Sequence, residues 1–489
     1  MKKKLTILIC TMLFVCCKRD FLNLQPTTSG TTDEFYNTQQ DIINADNAIY
    51  AVLQLTNASD YMVGDITTDD AEPGAGTCLS GVCDFNFFDI EPSVTVSSTV
   101  LNTRWTSLYK GISRANILLN RIDGVTFNDP ILKTRIIGEA KFLRAYFYFS
   151  LVQTFGDVPL IVKELSSPDE TYAYPRTDEA KVYAQIQQDL TDASTALPST
   201  YTGADIGRAT KWAALGMLGR VYLFQGKFTD AAPVLKNIID NTASIYGFLS
   251  NYADVFKYNN GNNKEIIFSI QYSRGFTPSQ GRAAHVNFIP MGTQLQPIGG
   301  QGYNLPTTDL DQAFEPNDAR KAATESMTIT VGTVTSALPH VNKYLDPAIL
   351  LANDTSVDFP ILRYSDVLLM YAECLNEAGN PGGGVVYLNK VRTTPRTNLP
   401  AKPLTISQSD LRTAILKERR IEFAFESLRF FDLVRTNTLE TVMNAYFTKY
   451  NITNNGVLVQ IDTHNRLFPI PQQQIDTNPQ NIKQNPGYK

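Results

Sequence analysis

Apolar residues recur along this chain at helical spacing, in blocks separated by two long stretches without a sustained period. The spacing predicts a helix over residues 32–55 with Phe35, Ile42, Ile43, Ile49, Val52 and Leu53 inside. It predicts another over 103–121 with Trp105, Leu108, Ile112, Ala115 and Leu119 on one face. In residues 141–160 the apolar positions cover most of the circumference: Phe142, Tyr146 and Phe149 form one stripe, and Leu143, Phe147 and Leu151 its neighbour. Leaving such rings in water forgoes roughly 1.5 to 3 kcal/mol each, so this helix is expected to be core on several sides. Gly156, and Pro159 acting on Val158, end it near Thr154 or Phe155.

Helical patterns continue over 178–197, 210–225, 364–379 and 411–435. In LGMLGRVYLFQGKFTDAAPVL the positions Leu215, Leu218, Gly219, Tyr222, Gly226, Phe228 and Ala231 have the spacing of a tetratricopeptide unit, whose small residues let two antiparallel helices approach closely. Residues 142–155 and 364–379 are looser copies. One hairpin cannot bury its apolar face alone, so the units must stack, and the expected fold is an all-α, tetratricopeptide-like scaffold. Two inserts interrupt it. Residues 56–100 carry Asp65, Asp69, Asp70, Glu72 and the aromatics Phe85, Phe87 and Phe88 in a long decorated loop. Residues 250–359 are rich in Gly, Asn, Thr and Pro, with strand-like runs at 265–271 and 327–334. Long loops in a compact fold are where function concentrates. In 411–435, Arg419 with Glu422 and Glu426 with Arg429 stand at the spacing of ion pairs along one continuous helix, and residues 466–489 read as an extended Pro-rich strap.

Composition is that of a globular protein with a sizeable core: 489 residues, 43% hydrophobic and 19% charged. With 48 acidic against 43 basic residues the chain is poorly suited to nucleic acid, whose phosphates call for clustered cations. The start, MKKKLTILICTMLFVCC, is a basic segment, an apolar run too short to span a bilayer and a cysteine pair. It reads as a bacterial lipoprotein leader over residues 1–16, with Cys17 the expected lipidated residue and Cys16 the alternative. Acyl chains then hold the protein on a membrane without a spanning helix. The mature chain divides into residues 17–249 and 250–489. Cys78 and Cys83 in CLSGVC are either a disulfide or two thiols, and Cys374 is packing. His285, His340 and His464 lack metal-ligand spacing. GNPGGG at 379–384 lacks the phosphate-loop lysine and reads as a turn between helices. Neighbouring acids such as Asp69 and Asp70 do not make a glycosidase pair. No catalytic residue, metal or cofactor is expected.

Taken in order, the lipoprotein start with CKRDFLNLQP, the helix WTSLYKGISRANILL, AKFLRAYFYFSLVQTFGDVPL, RYSDVLLMYAECLNEAG with YLNKVRTT, KERRIEFAFESLRFFDLVR, and the closing RLFPIPQQQIDTNP with QNPGY resemble the SusD/RagB family nearly end to end. The resemblance implies about four tetratricopeptide-like units, inserts that form a ligand face, a lipid anchor on the outer membrane at the cell surface, and a SusC-like TonB-dependent transporter as partner. It implies a carbohydrate ligand or, as in the RagB branch, a peptide. Family members stack sugars on aromatic rings. The only tryptophans here, Trp105 and Trp212, lie in scaffold helices and are expected in the core, so stacking falls to Phe85, Phe87, Phe88, Tyr272, Phe276 and Tyr303, with Asp69, Asp70 and Arg274 as polar partners.

Overall fold

The computed structural model describes residues 35–74, 96–282, 287–290, 300–331 and 333–488. Its scaffold is a run of antiparallel helices, α1 Gln39–Asn57, α2 Thr99–Arg121, α3 Pro130–Phe155, α4 Glu179–Ala196, α5 Lys211–Phe224 and α6 Phe228–Asn241. Each packs on the next. After α6 the chain departs into the second insert and returns as α7 Tyr364–Glu377, which packs directly against α6 and carries the stack on into α8 Pro381–Arg392 and α9 Gln408–Glu422. The stack is therefore continuous in space although broken in sequence. Helices α10 Arg429–Arg435 and α11 Leu439–Lys449 follow, and the C-terminal strap is not extended throughout but carries one more short helix, Gln472–Thr477.

The aromatic helix is its centre. Asp129 caps α3 by accepting from the Ile131 N–H, Pro130 supplies the first-turn φ, and Gly156 stops it at φ 70°. Phe142, Phe147, Tyr148 and Phe155 are fully buried. Tyr148 is there because its hydroxyl is satisfied, lying 2.7 Å from both the carbonyl and the N–H of Ile161. Close approach is set by glycine: a Cβ on Gly111 of α2 would overlap the Phe147 ring, and one on Gly219 would meet Leu235 Cδ2 at 2.6 Å. Gly111→Ala is expected to cost about 1 to 3 kcal/mol by overpacking this contact. A urea midpoint matching the parent's would show that the α2–α3 approach is slack.

The structure departs from the sequence reading in four other places. Helix α1 opens only at Thr38, where a capping box with Asp41 starts it, and Phe35 ahead of that cap is 40% exposed rather than inside. The first insert does not begin as an open loop: residues from Ser59 to Asp70 are almost all buried and include a wide π-helical turn, Met62–Ile66. Residues 411–435 are not one helix. The chain breaks between α9 and α10, with Phe425 and Ser427 at φ 64° and 58°, so Arg419 bonds Asp366 and Asp432 instead of Glu422, and Arg429 bonds Asp69 instead of Glu426. Finally, only Gly379 makes the turn in GNPGGG. Asn380 caps α8 through the Gly383 N–H, and Gly384 is pressed against the Ala372 carbonyl.

The α9–α10 break is fixed by buried charge. Glu422 Oε1 accepts from Arg363 and Arg396, both at 2.8 Å, while its Oε2 accepts from Arg320 at 3.0 Å. Four residues on, Glu426 accepts from Arg363 and from Lys343 at 2.8 Å. These cations come from the second insert, from the strand Phe359–Arg363 and from the loop after α8, so the network ties insert to scaffold.

Candidate functional site

Two insert segments far apart in sequence meet edge to edge. Strand β1 Ala71–Glu72 pairs antiparallel with Leu305–Pro306, Ala71 facing Pro306 and Glu72 facing Leu305, and the Gly74 N–H donates to the Gly302 carbonyl at 2.8 Å. Below this ribbon, Asp65 accepts from Asn304 Nδ2 at 3.2 Å and from the Ser427 N–H at 3.0 Å, so both inserts rest on the α9–α10 break. Gly64 lies so close to the Ser427 backbone that no Cβ fits there. Burial pushes the Asp65 carboxyl up to about 8, the Asn304 hydrogen bond opposing it.

A second junction joins the inserts near the end of α1. Tyr272 donates its hydroxyl to Asn57 Oδ1 at 2.9 Å, and Gln54 Nε2 donates to the Gln271 carbonyl. Beyond Tyr272 the chain turns out in a short excursion bridged between Ser273 and Gln280 and stitched to residues 346–356: the Gly275 N–H donates to Asp354, the Arg274 N–H to Ser356 and Arg274 Nη1 to the Ala348 carbonyl. At its tip Phe276 is 54% exposed. The Arg274 guanidinium lies 5.3 Å from the centre of the Tyr258 ring. Tyr258, Asn259, Asn342 and Pro347 line an open cleft of about 360 Å³.

The residues expected to bind ligand have separate fates. Phe85, Phe87 and Phe88 lie outside the described residues, as do Cys17, Cys78 and Cys83. Phe276 and Arg274 reach solvent on one excursion. Tyr303 is half-buried on the ribbon, and Tyr272 is half-buried with its hydroxyl committed to Asn57. Asp69 and Asp70 are interior. Arg429 grips Asp69 with two hydrogen bonds of 2.9 Å, and Arg420 Nε donates to Asp70 at 2.6 Å. Burial alone would raise Asp69, but Arg429 and Arg420 outweigh it and hold the carboxyl at about 2. These two acids therefore lock the insert to the scaffold, and neither is presented to solvent. Tyr258, Asn259 and Asn342 were missed from sequence. The run YNNGNN, residues 258–263, an aromatic followed by amides, was the available signal for the first two, and Asn342 had none.

A stacked-hairpin scaffold whose two inserts join in one aromatic and polar platform defines a class, and the comparisons give it a family. The chain belongs to the SusD/RagB family: the SusD family model matches residues 330–488, and a SusD-like model described as starch-binding associating with outer membrane matches residues 20–223. Among relatives, SusD-like protein P25 of Formosa agariphila is 28% identical, with 98% of each chain covered, and a SusD-like protein of Bacteroides ovatus is 25% identical, with 89% of this chain and 82% of that one covered. Among solved structures, a laminarin binding SusD-like protein superposes with a TM-score of 0.77 at 28% identity, covering 93% of this chain and 100% of that one. A SusD homolog from Bacteroides thetaiotaomicron reaches 0.79 at 23% identity over 94% and 98%, which speaks for the fold.

Proposed function

We propose that this protein is a lipid-anchored outer-membrane receptor that binds a nutrient oligo- or polysaccharide on its insert platform and delivers it to a SusC-like TonB-dependent transporter. The observation that carries the reading is the joining of two distant inserts at β1 and again at Asn57–Tyr272, with Phe276, Arg274 and Tyr258 reaching solvent beyond the second junction. Flat rings take up the C–H face of a sugar while guanidinium and amide groups bond its hydroxyls. The full-length similarity to a laminarin binding SusD-like protein supports a glycan ligand, and the SusD-like model's outer-membrane association supports the location. Cys17 is the proposed acyl acceptor. Phe85, Phe87, Phe88 and Tyr303 are proposed as further stacking rings.

The test is calorimetry of the mature chain against neutral hexaoses, with Phe276→Ala as the probe variant. Losing one stacked ring is expected to weaken binding about tenfold, the equivalent of roughly 1.4 kcal/mol. Unchanged affinity would remove Phe276 from the site, and no binding of any glycan would remove the reading. A peptide ligand is the second reading, favoured by the placement of both tryptophans in the scaffold, each only 5% exposed. A peptide library giving binding where glycans give none would establish it.

A further inference from the structure

A second cleft lies in the scaffold and shares no lining residue with the platform. Its walls are α2, the loop of residues 159–174 and the C-terminal strap, and it encloses about 300 Å³, the lower end of the range for small-molecule sites. The three walls are tied to one another. Tyr109 donates its hydroxyl to the Pro159 carbonyl and Asn116 Nδ2 donates to that of Ile161, both at 2.8 Å. Asn102 exchanges hydrogen bonds of 2.8 Å with Gln473 and Gln474 of the strap, and Asn481 Nδ2 holds the Tyr172 carbonyl at 2.7 Å. The space between them is thus held open by fixed elements and not by a chance gap between mobile side chains.

Its lining combines ring faces with unused polar groups. Trp105, Tyr109, Tyr172 and Tyr174 supply the rings. Trp105 is 5% exposed, yet its indole N–H has no acceptor among the described residues and is not sealed from solvent as that of Trp212 is. The hydroxyls of Ser113, Tyr172 and Tyr174 likewise have no partner among the described residues. A purely apolar occupant would leave these groups unsatisfied, at a cost. No carboxylate lines the cleft, so a cation finds no counter-charge, and Lys163 is the single charged side chain in the lining. Flat rings beside uncharged donors and acceptors suit a neutral polyol ring.

We propose that this cleft is a second carbohydrate subsite, taking a neutral sugar unit against the exposed Tyr172 ring with the Trp105 indole N–H at its floor, apart from the insert platform. The inference rests on the glycan reading, and its test separates the two. The chain has two tryptophans, so intrinsic fluorescence reports on the cleft. The mature protein is titrated with laminarihexaose, maltohexaose, cellohexaose and xylohexaose, with calorimetry in parallel. At least one sugar is expected to shift the emission, in the parent and equally in Trp212→Phe and Phe276→Ala. Tyr172→Ala should weaken the fluorescence-detected affinity about tenfold. Ser113→Phe, at an exposed position where folding is not at stake, should plug the cleft and abolish the shift while calorimetric binding at the platform persists. A sugar bound by calorimetry with no Trp105 signal, or a signal indifferent to Ser113→Phe, would overturn the subsite and leave the platform reading intact. No sugar binding by either method would overturn both. An emission shift given only by aromatic peptides would reassign the cleft to peptide capture.

Discussion

Replacing Glu422 by alanine is expected to cost this protein about 3 to 5 kcal/mol of stability, the largest effect of any single charge removal we foresee. Its carboxylate is fully buried and shared by Arg320, Arg363 and Arg396, themselves buried. Burial disfavours the ionised form, yet Arg396, Arg363 and Arg320 outweigh it and hold Glu422 well below the usual carboxylate range. Without it, cations from three parts of the chain crowd together in a dry interior with their compensating charge gone. Arg320 keeps Asp318 and Glu418, and Arg363 keeps Glu426, so the fold has partial relief. Glu422→Gln should be nearly as harmful, because it keeps the shape but loses the charge. Asp240→Asn, which breaks the exposed pair with Lys236, should leave the urea midpoint unchanged. Similar midpoints for the Glu422 and Asp240 variants would mean the buried network carries no more than surface pairs do.

Stability against pH is expected to peak in mildly acidic solution and to fall on both sides. On the acid side, burial would raise Asp366, but Arg220 and Arg419 outweigh it and bring the carboxyl to about 2, and Asp69 and Glu422 are depressed in the same way. Their folded values lie below the unfolded ones near 4, so the stability they supply is present above that pH and is lost as pH falls toward 2. On the other side, burial raises Asp65 and Glu325 to about 8 and Asp358 to about 6. The folded state keeps those protons when the unfolded chain has released them, so the advantage is complete below about pH 4 and lost as pH rises through 6 and 8. Lys343, lowered by burial to about 8, acts oppositely: its contribution grows between about pH 8 and 10.5, so the decline flattens there. Denaturant midpoints from pH 3 to 9 would trace the curve. Asp65→Asn should reduce the fall between pH 6 and 9. A profile level across that interval in both proteins would show that Asp65 is ionised in the fold.

Periodicity alone determined the scaffold. The aromatic stripes of α3, its stop at Gly156 and the small residues of the α5–α6 hairpin follow from side-chain spacing on a helix, a local property that tertiary contacts reinforce. The order of motifs likewise carried the family. What only the tertiary structure decided was the part played by charge. Asp69, Asp70, Arg419 and Arg429 read in sequence as surface chemistry or neighbouring helix pairs, yet each finds its partner across long stretches of chain, in the dry interior. A carboxylate has no period, and its role depends on which guanidinium the fold brings within 3 Å and on how much water is excluded with it. The meeting of the two inserts at β1 and Leu305–Pro306, and the cleft walled by helix, loop and strap, depend in the same way on distant segments coming together, which no local pattern encodes.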